Sequence, residues 1–440
     1  LENILTQPSM SVEALSFMFG TMKHSGHPEV SPRDGGRSAQ TYAKEKLDLD
    51  AVVIQNTRNI FFEQFVLGHL KLKQKWPVLE FLSPEDSPKI YRLYRQGSFV
   101  ASHSDFSDCG HEWTFIRFKG NATFDMYSNY FDLMEDKAIG YPKSQFDSAY
   151  PPELLGYRTP RAKSKRRLLE EVLNRPTFSV ESVVEKICNR QIPDDWKIVA
   201  LYPKEREMKL SPRMFAMLVI EMRTALVAAE ANIGEQIMRY FPQQSMTMGS
   251  GDLEQQLHTM TDPASSTVLG LCEIDLTRWN LLWRKEAVDL IAKDLDDFFG
   301  FTEKYPFGLY TYIHEFFESS MIHVRIPDDI PDGLTKENRQ HPPESDLLWY
   351  NHAGGFEGLA QKLWTLVTIS MILYAVHPFN IPFVLLGQGD NQVISLDLSG
   401  IRPRDRERIL TQIMERISQV AAALGQKVKP EECLLSTCLL

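Results

Sequence analysis

The sequence predicts an α+β chain in which short strands carry the chemistry and long helices bury them. Three observations predict it. Two apolar runs, Phe383 to Leu386 and Val393 to Leu396, flank the polar turn Gly389-Asp390-Asn391. Turns of Gly, Asp and Asn reverse a chain between strands, so the stretch is a hairpin with a carboxylate at its tip. A third run, Val268 to Leu271, leads into Glu273-Ile274-Asp275-Leu276, which predicts another strand ending on a carboxylate. Helical apolar spacing recurs elsewhere, most clearly at Ile409, Ile413, Ile417, Val420 and Leu424.

The elements follow in order. Residues 1–30 are weakly helical and end at Gly26-His27-Pro28; residues 31–48, rich in Gly, Ser and charge, predict a loop. Phe61 to Leu72 is an amphipathic helix closed by Lys73-Gln74-Lys75-Trp76-Pro77. Residues 78–160 scatter aromatics among turns without a period. Lys163 to Cys188 is helical with a break near Pro176, and Trp196 to Tyr202 alternates like a strand. Ser211 as cap and Pro212 in the first turn predict a long helix running to Met238. Residues 283–299 are helical, and residues 327–346, rich in Pro, Asp and Glu, form an exposed insertion. Leu363 to Val376, about 14 residues with Thr and Ser inside, is an apolar helix too short to span a bilayer, which needs roughly 20. Arg404 to Leu424 is a helix stopped by Gly425, and a strand starts at Leu434.

Composition sets bounds. A chain of 440 residues, 43% hydrophobic, can form two to four lobes with substantial cores. Cys109, Cys188, Cys272, Cys433 and Cys438 lack metal-ligand spacing and point to a reducing compartment; only Cys433 and Cys438 are close enough in sequence to suggest a pair. Asn3 and Gln7 interrupt what a signal peptide would keep apolar. No transmembrane segment is expected. The net charge of −10 argues against a binder that holds naked nucleic acid by charge alone. Its distribution softens that: Arg158, Arg161, Lys163, Lys165, Arg166 and Arg167 run without an acid until Glu170. Such a run is more often a solvated face than a phosphate track, but here it precedes a candidate metal centre.

Four blocks carry the chemistry. A lone Gly-Asp-Asn is usually a plain turn. A second strand-end carboxylate, Asp275, changes the balance: if the strands are neighbours, Asp275 and Asp390 face each other and suit two hard divalent cations. Paired cations serve in-line phosphoryl transfer. The third block is Gly354-Gly355-Phe356-Glu357-Gly358, followed by Gln361-Lys362-Leu363-Trp364. Glycines before a long apolar helix let backbone approach a ligand, although Glu357 argues against simple anion cradling. The fourth is Lys204-Glu205-Arg206-Glu207-Met208-Lys209. On extended backbone Lys204 and Arg206 share a face opposite Glu205 and Glu207, which is either a self-neutralising surface or a cationic clamp on a triphosphate.

With these blocks in this order, the chain resembles the polymerase region of the large (L) protein of nonsegmented negative-strand RNA viruses. Gln388-Gly389-Asp390-Asn391-Gln392 is the most specific match. Ile274-Asp275 with Trp279-Asn280 resembles the family's first metal block, Gly354 to Trp364 its priming-and-template block, and Lys204 to Lys209 its triphosphate block. Gly26-His27-Pro28, Lys75-Trp76-Pro77 and Asp136-Lys137-Ala138 resemble its upstream blocks.

The resemblance implies a right-hand polymerase, with residues 1–265 as fingers and N-terminal elements, and 266–440 as palm. Residues 281–353 would partly return to the fingers, and the thumb would follow Leu440 in a longer protein. It implies an RNA-dependent RNA polymerase with two Mg²⁺ or Mn²⁺ ions on Asp275 and Asp390, Asn391 shaping the site. Lys204, Arg206, Lys209 and Arg213 would neutralise the nucleotide triphosphate. Gly354, Gly355, Glu357, Gly358 and Gln361 would position template and nucleotide. Gln426 to Glu432 resembles the next block, whose lysine, Lys429 here, would protonate pyrophosphate. Implied partners are RNA template and product, ribonucleoside triphosphates, a viral phosphoprotein and nucleoprotein-coated RNA. The implied location is the virion and the host cell, in cytoplasm or nucleus. Two other readings stay open: a reverse transcriptase, against which Gly389-Asp390-Asn391 speaks, and a nonenzymatic remnant that binds RNA or polymerase partners.

Overall fold

The computed structural model describes residues 30–100, 102–128, 133, 139–145, 178–204, 211–261, 268–325 and 344–436. Gly26-His27-Pro28, Asp136-Lys137-Ala138, the basic run 158–167, Arg206, Lys209, most of the 327–346 insertion and Cys438 lie outside them.

Helix α1 (Pro32–Lys44) occupies the stretch expected as a loop. Ser31 accepts the Asp34 N–H, and Pro32 pre-sets the first turn. Gly35 and Gly36 mark close packing rather than a turn. A Cβ on Gly35 would lie 2.6 Å from the Met214 sulfur, and one on Gly36 2.3 Å from a Val324 methyl. Helix α2 (Ala51–Lys73) starts well before Phe61 because Asp50 accepts the Val52 and Val53 N–H groups. Its buried residues lie on most faces, so its true extent exceeds its amphipathic stretch. The short ladder β1 (Leu79–Phe81) with β2 (Ile116–Phe118) encloses α3 (Pro88–Gln96), and α4 (Val180–Cys188) follows.

Strand β3 (Ile198–Pro203) forms where the sequence predicts a strand, but it is buried at nearly every position rather than alternately, as an inner strand between β4 and β6. The long helix expected from Ser211 does not start there. Residues Met214–Leu218 form strand β4, antiparallel to β3, and the helix α5 (Ile220–Asn232) begins only afterwards. A short apolar run fits either period, and pairing with β3 decides between them. Past Asn232 the helix loosens into a π turn, Ile233–Ile237. Next come α6 (Ser250–Thr261), β5 (Leu269–Ile274), α7 (Lys285–Phe298), α8 (Tyr312–Ser319), β6 (Met321–Val324) and β7 (Leu348–Trp349). The chain continues with α9 (Gln361–Val376), β8 (Phe383–Gln388), β9 (Asn391–Asp397), α10 (Pro403–Ala423) and β10 (Leu434–Ser436).

Among the described residues these strands form two four-stranded sheets besides the β1–β2 ladder. One has the order β4-β3-β6-β7 and is mixed, because β3 and β6 run parallel. The other, β10-β5-β9-β8, is antiparallel throughout. Strands β6 and β7 thus join the sheet started by β3, although β5 of the antiparallel sheet precedes them in the chain. Helix α9 is the hub: it packs on α2, α10 and β8, while α1 lies over β3, β4 and β6. With the turn His377–Phe379, α9 makes a 19-residue span, longer than expected and apolar enough by composition to cross a membrane. Most of its most apolar window, 72%, is buried inside the protein, as in a core helix.

Buried carboxylates brace the helices. Asp294 on α7 takes two bonds from Arg58 on α2, at 2.7 and 2.6 Å, and Arg58 also donates to the Trp113 and Ile116 carbonyls. Asp296 accepts the N–H groups of Leu309, Tyr310 and Thr311 at 2.8–3.1 Å and the Thr311 hydroxyl at 2.9 Å.

Candidate functional site

The hairpin β8–β9 forms as the sequence predicts, and its register explains its composition. Gln388 pairs with Asn391, so the loop is the two residues Gly389 and Asp390. Gly389 has φ +63°, the left-handed conformation that a type II′ turn requires at its first central position. Gly387 leaves space for Gln392, whose side-chain oxygen would lie 2.0 Å from a Cβ there. The Gln392 amide in turn donates to the Gly389 carbonyl at 2.8 Å. From α9, Thr365 accepts the Gly389 N–H at 3.2 Å, tying the turn to the core helix.

Asp275 sits on the neighbouring strand's end. Strand β5 pairs antiparallel with β9, with Ile274 opposite Gln392. Continuing that register sets Asp275 beside the turn that carries Asp390. The Asp275 carbonyl accepts the Lys429 N–H at 2.9 Å, and Thr277 donates its N–H to the Lys427 carbonyl at 2.8 Å. The segment Lys427–Lys429 after α10, bridged to Leu276 through Val428, therefore clamps Asp275 from the side away from β9. Both carboxylates, Asn391 and Lys429 line one cleft of about 820 Å³, whose other walls include Arg213, Glu357 and Gln361. Burial pushes the Asp390 carboxyl above the ordinary range; its own N–H counteracts this, the Asp275 charge adds to it, and Arg213 opposes it. Among the described residues neither Asp275 nor Asp390 forms an ion pair. Beyond its own N–H, Asp390 takes a long bond, 3.3 Å, from the Asn391 amide.

The cations approach from the mixed sheet. Lys204 and Arg213 close the base of the β3–β4 hairpin, where the Lys204 N–H donates to the Arg213 carbonyl at 2.8 Å. Lys204 follows β3 and Arg213 precedes strand β4, where the sequence predicts a helix. Arg213 lies 3.2 Å and Lys204 3.7 Å from one Glu357 oxygen. Lys429 pairs with Glu432.

The glycine loop divides its work. A Cβ on Gly354 would meet the Leu281 carbonyl at 2.2 Å, and one on Gly355 the Trp364 ring at 2.3 Å. Those two allow packing against the segment after Asp275, and the Gly355 N–H donates to the Asn280 carbonyl at 2.9 Å. Gly358, at φ +84°, turns the chain into α9. Glu230 accepts the Lys362 N–H at 2.8 Å and so caps the α9 start from a distant helix.

A profile described as Mononegavirales RNA dependent RNA polymerase matches residues 2–440. The chain belongs to that family. Its relatives include the RNA-directed RNA polymerase L of Maize mosaic virus, 24% identical over 98% of this chain and 22% of the relative. That of Lettuce necrotic yellows virus is 27% identical over 77% of this chain and 17% of the relative. That of Hendra virus is 22% identical over 98% and 24%. The chain thus spans about a sixth to a quarter of the length of these curated relatives.

Membership in the Mononegavirales polymerase family implies divalent metal, and the donor set fits. Two carboxylates with no ion-pair partner, one made costly by burial and by its neighbour's charge, form a site that gains from a cation. Among the described residues there is no cage of three His, Cys, Asp or Glu groups. Mg²⁺ does not need one, because it takes one or two carboxylates and completes its shell with water and phosphate oxygens.

Sequence reasoning missed Thr365, which holds the turn through the Gly389 N–H, and Arg278 in the cleft wall. Thr365 is buried in α9 and had no local signal beyond a hydroxyl in an apolar run. Arg278 lines the cleft at φ +48°, an uncommon conformation for a non-glycine residue, and its guanidinium lies 5.7 Å from the Tyr42 ring centre.

Proposed function

We propose that this chain joins ribonucleotides on an RNA template, as the catalytic part of an RNA-dependent RNA polymerase that transcribes and replicates a viral genome. The observation that carries the proposal is the Asp275–Asp390 pair: strand-end carboxylates, adjacent in register, without ion-pair partners, in a cleft also faced by Arg213. Nothing in folding alone calls for that combination.

In the proposed reaction the 3′-oxygen of the RNA bonds to the α-phosphorus of a ribonucleoside triphosphate, and the bond to the β-phosphate oxygen breaks, releasing pyrophosphate. Asp275 and Asp390 would hold Mg²⁺ or Mn²⁺, which lowers the pKa of the attacking hydroxyl and neutralises charge on the leaving group. Asn391 shapes the turn. Lys204, Arg206, Lys209 and Arg213 hold the triphosphate. Lys429, in the wall of the same cleft, would supply a proton to the departing pyrophosphate. The loop Gly354, Gly355, Glu357, Gly358 and Gln361 positions ribose and template base.

We assign residues 1–265 to fingers and 266–440 to palm, with 281–353 partly in the fingers. What supports the last point is that β6 and β7 complete the sheet begun by β3 and β4. Partners proposed from the family are a phosphoprotein and nucleoprotein-coated RNA, in the virion and the host cell, with cytoplasm ahead of nucleus. The test is primer extension on RNA by the complete polymerase with ribonucleotides and deoxyribonucleotides offered separately. Preference for ribonucleotides supports the proposal, and preference for deoxyribonucleotides overturns it.

A further inference from the structure

Among the described residues, Glu357 pairs with both Lys204 and Arg213, the described members of the cationic clamp. Its carboxylate is mostly covered, at 18% side-chain exposure, while Arg213 and Lys204 keep 52% and 34%. The anion is thus the inner partner, and the cations are the ones open to solvent. Backbone geometry holds it there: Glu357 forms a parallel bridge with Phe215 of β4, next to the hairpin base that carries Arg213. The Phe215 ring lies under the Lys204 ammonium, 5.5 Å away. Arg213 in turn stands between two acidic fields, since it also lowers the Asp390 pKa. An unopposed pair of cations would repel and spread. With Glu357 beside both they are held together, and Glu357 and Arg213 line the same cleft as the carboxylates.

We propose that Glu357 is the internal counter-ion of the triphosphate clamp, occupying Lys204 and Arg213 until a triphosphate competes it away. This rests on the assignment of those cations to the triphosphate. A polyanion with several phosphate oxygens outcompetes one carboxylate, because each charge-assisted bond it makes replaces one already present and adds others. The cost of displacing Glu357 then raises the nucleotide concentration the enzyme needs. It also suppresses occupancy of the clamp by weaker anions.

The test uses the complete polymerase with excess Mg²⁺ and two probes, a ribonucleoside triphosphate in primer extension and inorganic tripolyphosphate as competitor. Glu357→Gln keeps the size and the backbone bridge and removes the charge. Tripolyphosphate should bind about three- to tenfold more tightly, and the nucleotide KM should fall by a similar factor. In Lys204→Ala,Arg213→Ala background the same substitution should change neither value, because the sites are coupled. Equilibrium binding of tripolyphosphate needs no turnover, so it gives the answer even if extension is lost. Unchanged or weaker tripolyphosphate binding in Glu357→Gln overturns the proposal. If Lys204→Ala and Arg213→Ala themselves leave the nucleotide KM unmoved, the clamp assignment falls. If they raise it while Glu357→Gln has no effect, only the counter-ion role falls.

Discussion

Asp296 and Asp390 are both aspartates that burial drives upward, Asp296 to about 7, yet they sit in opposite kinds of place. Asp296 spends its oxygens on three backbone N–H groups and a hydroxyl, all from residues 309–311. Its neighbour Asp294 is forked by Arg58. Every lone pair there faces protein, and the result is a brace between helices and a loop. Asp390 stands on a two-residue turn at the wall of an open cleft, with a like charge nearby and one long bond from Asn391. A shifted carboxylate therefore does not by itself mark a reactive site. What separates the two regions is whether protein donors consume the carboxylate or leave it for something else.

The largest expected effect tests that separation directly. Asp275→Ala or Asp390→Ala in the complete polymerase should reduce nucleotide addition to background, while thermal unfolding stays within about 1 kcal/mol of the parent, as for substitutions outside a packed or paired core. Asp390→Asn is the cleaner probe, because Asn suits the same turn and removes only the charge. Primer extension with Mg²⁺ or Mn²⁺ is the measurement. A variant that keeps a near-parental rate would sink the metal assignment.

The opposite pattern is expected at the brace. Asp294→Ala leaves the Arg58 guanidinium buried without its carboxylate, which costs roughly 3–5 kcal/mol. Denaturant unfolding should show the loss. If the midpoint stays put, the brace is not structural and the comparison fails from the other side.

Much of the candidate site's geometry was legible in sequence because its signals are local. A Gly-Asp turn between apolar runs, a carboxylate after a strand, glycines before an apolar helix and Gly425 after Leu424 each announce themselves within a few residues. The brace and the clamp geometry were not legible. Arg58 meets Asp294, and Arg213 meets Glu357, only after the chain has returned from far away, so no spacing encodes either pair. Helix α1 was hidden by glycines needed for close packing on Met214 and Val324. Strand β4 was hidden by a run whose partner strand, not its own period, sets its conformation.

Between the extremes lies the clamp. Lys204 is partly exposed and paired with one acid, unlike the enclosed Arg58. Lys204→Ala, and equally Arg206→Ala or Lys209→Ala, should leave stability within about 1 kcal/mol. Each should lose a charge-assisted contact of roughly 1.5–3 kcal/mol to the triphosphate, about 10–100-fold in kcat/KM. Nucleotide titration in primer extension separates the outcomes, and unchanged KM and kcat would return these residues to the solvated surface.

The smallest effect belongs to Asn391. Its amide makes one exposed bond of 3.3 Å to Asp390, at the long end for such contacts. It opens β9 opposite Gln388, so its backbone is set by the ladder rather than by its side chain. Asn391→Ala should then cost about 0.5–1.5 kcal/mol in the reaction barrier, roughly two- to tenfold in kcat. A loss as deep as that of Asp390→Ala would mean that the Asn391 oxygen ligates metal. The site would then have three protein ligands, and the contrast with Asp296 would rest on Asn391 as much as on Asp390. Titrating Mg²⁺ in the Asn391→Ala variant distinguishes these cases, because an orienting residue leaves the metal requirement near its parental concentration and a ligand raises it.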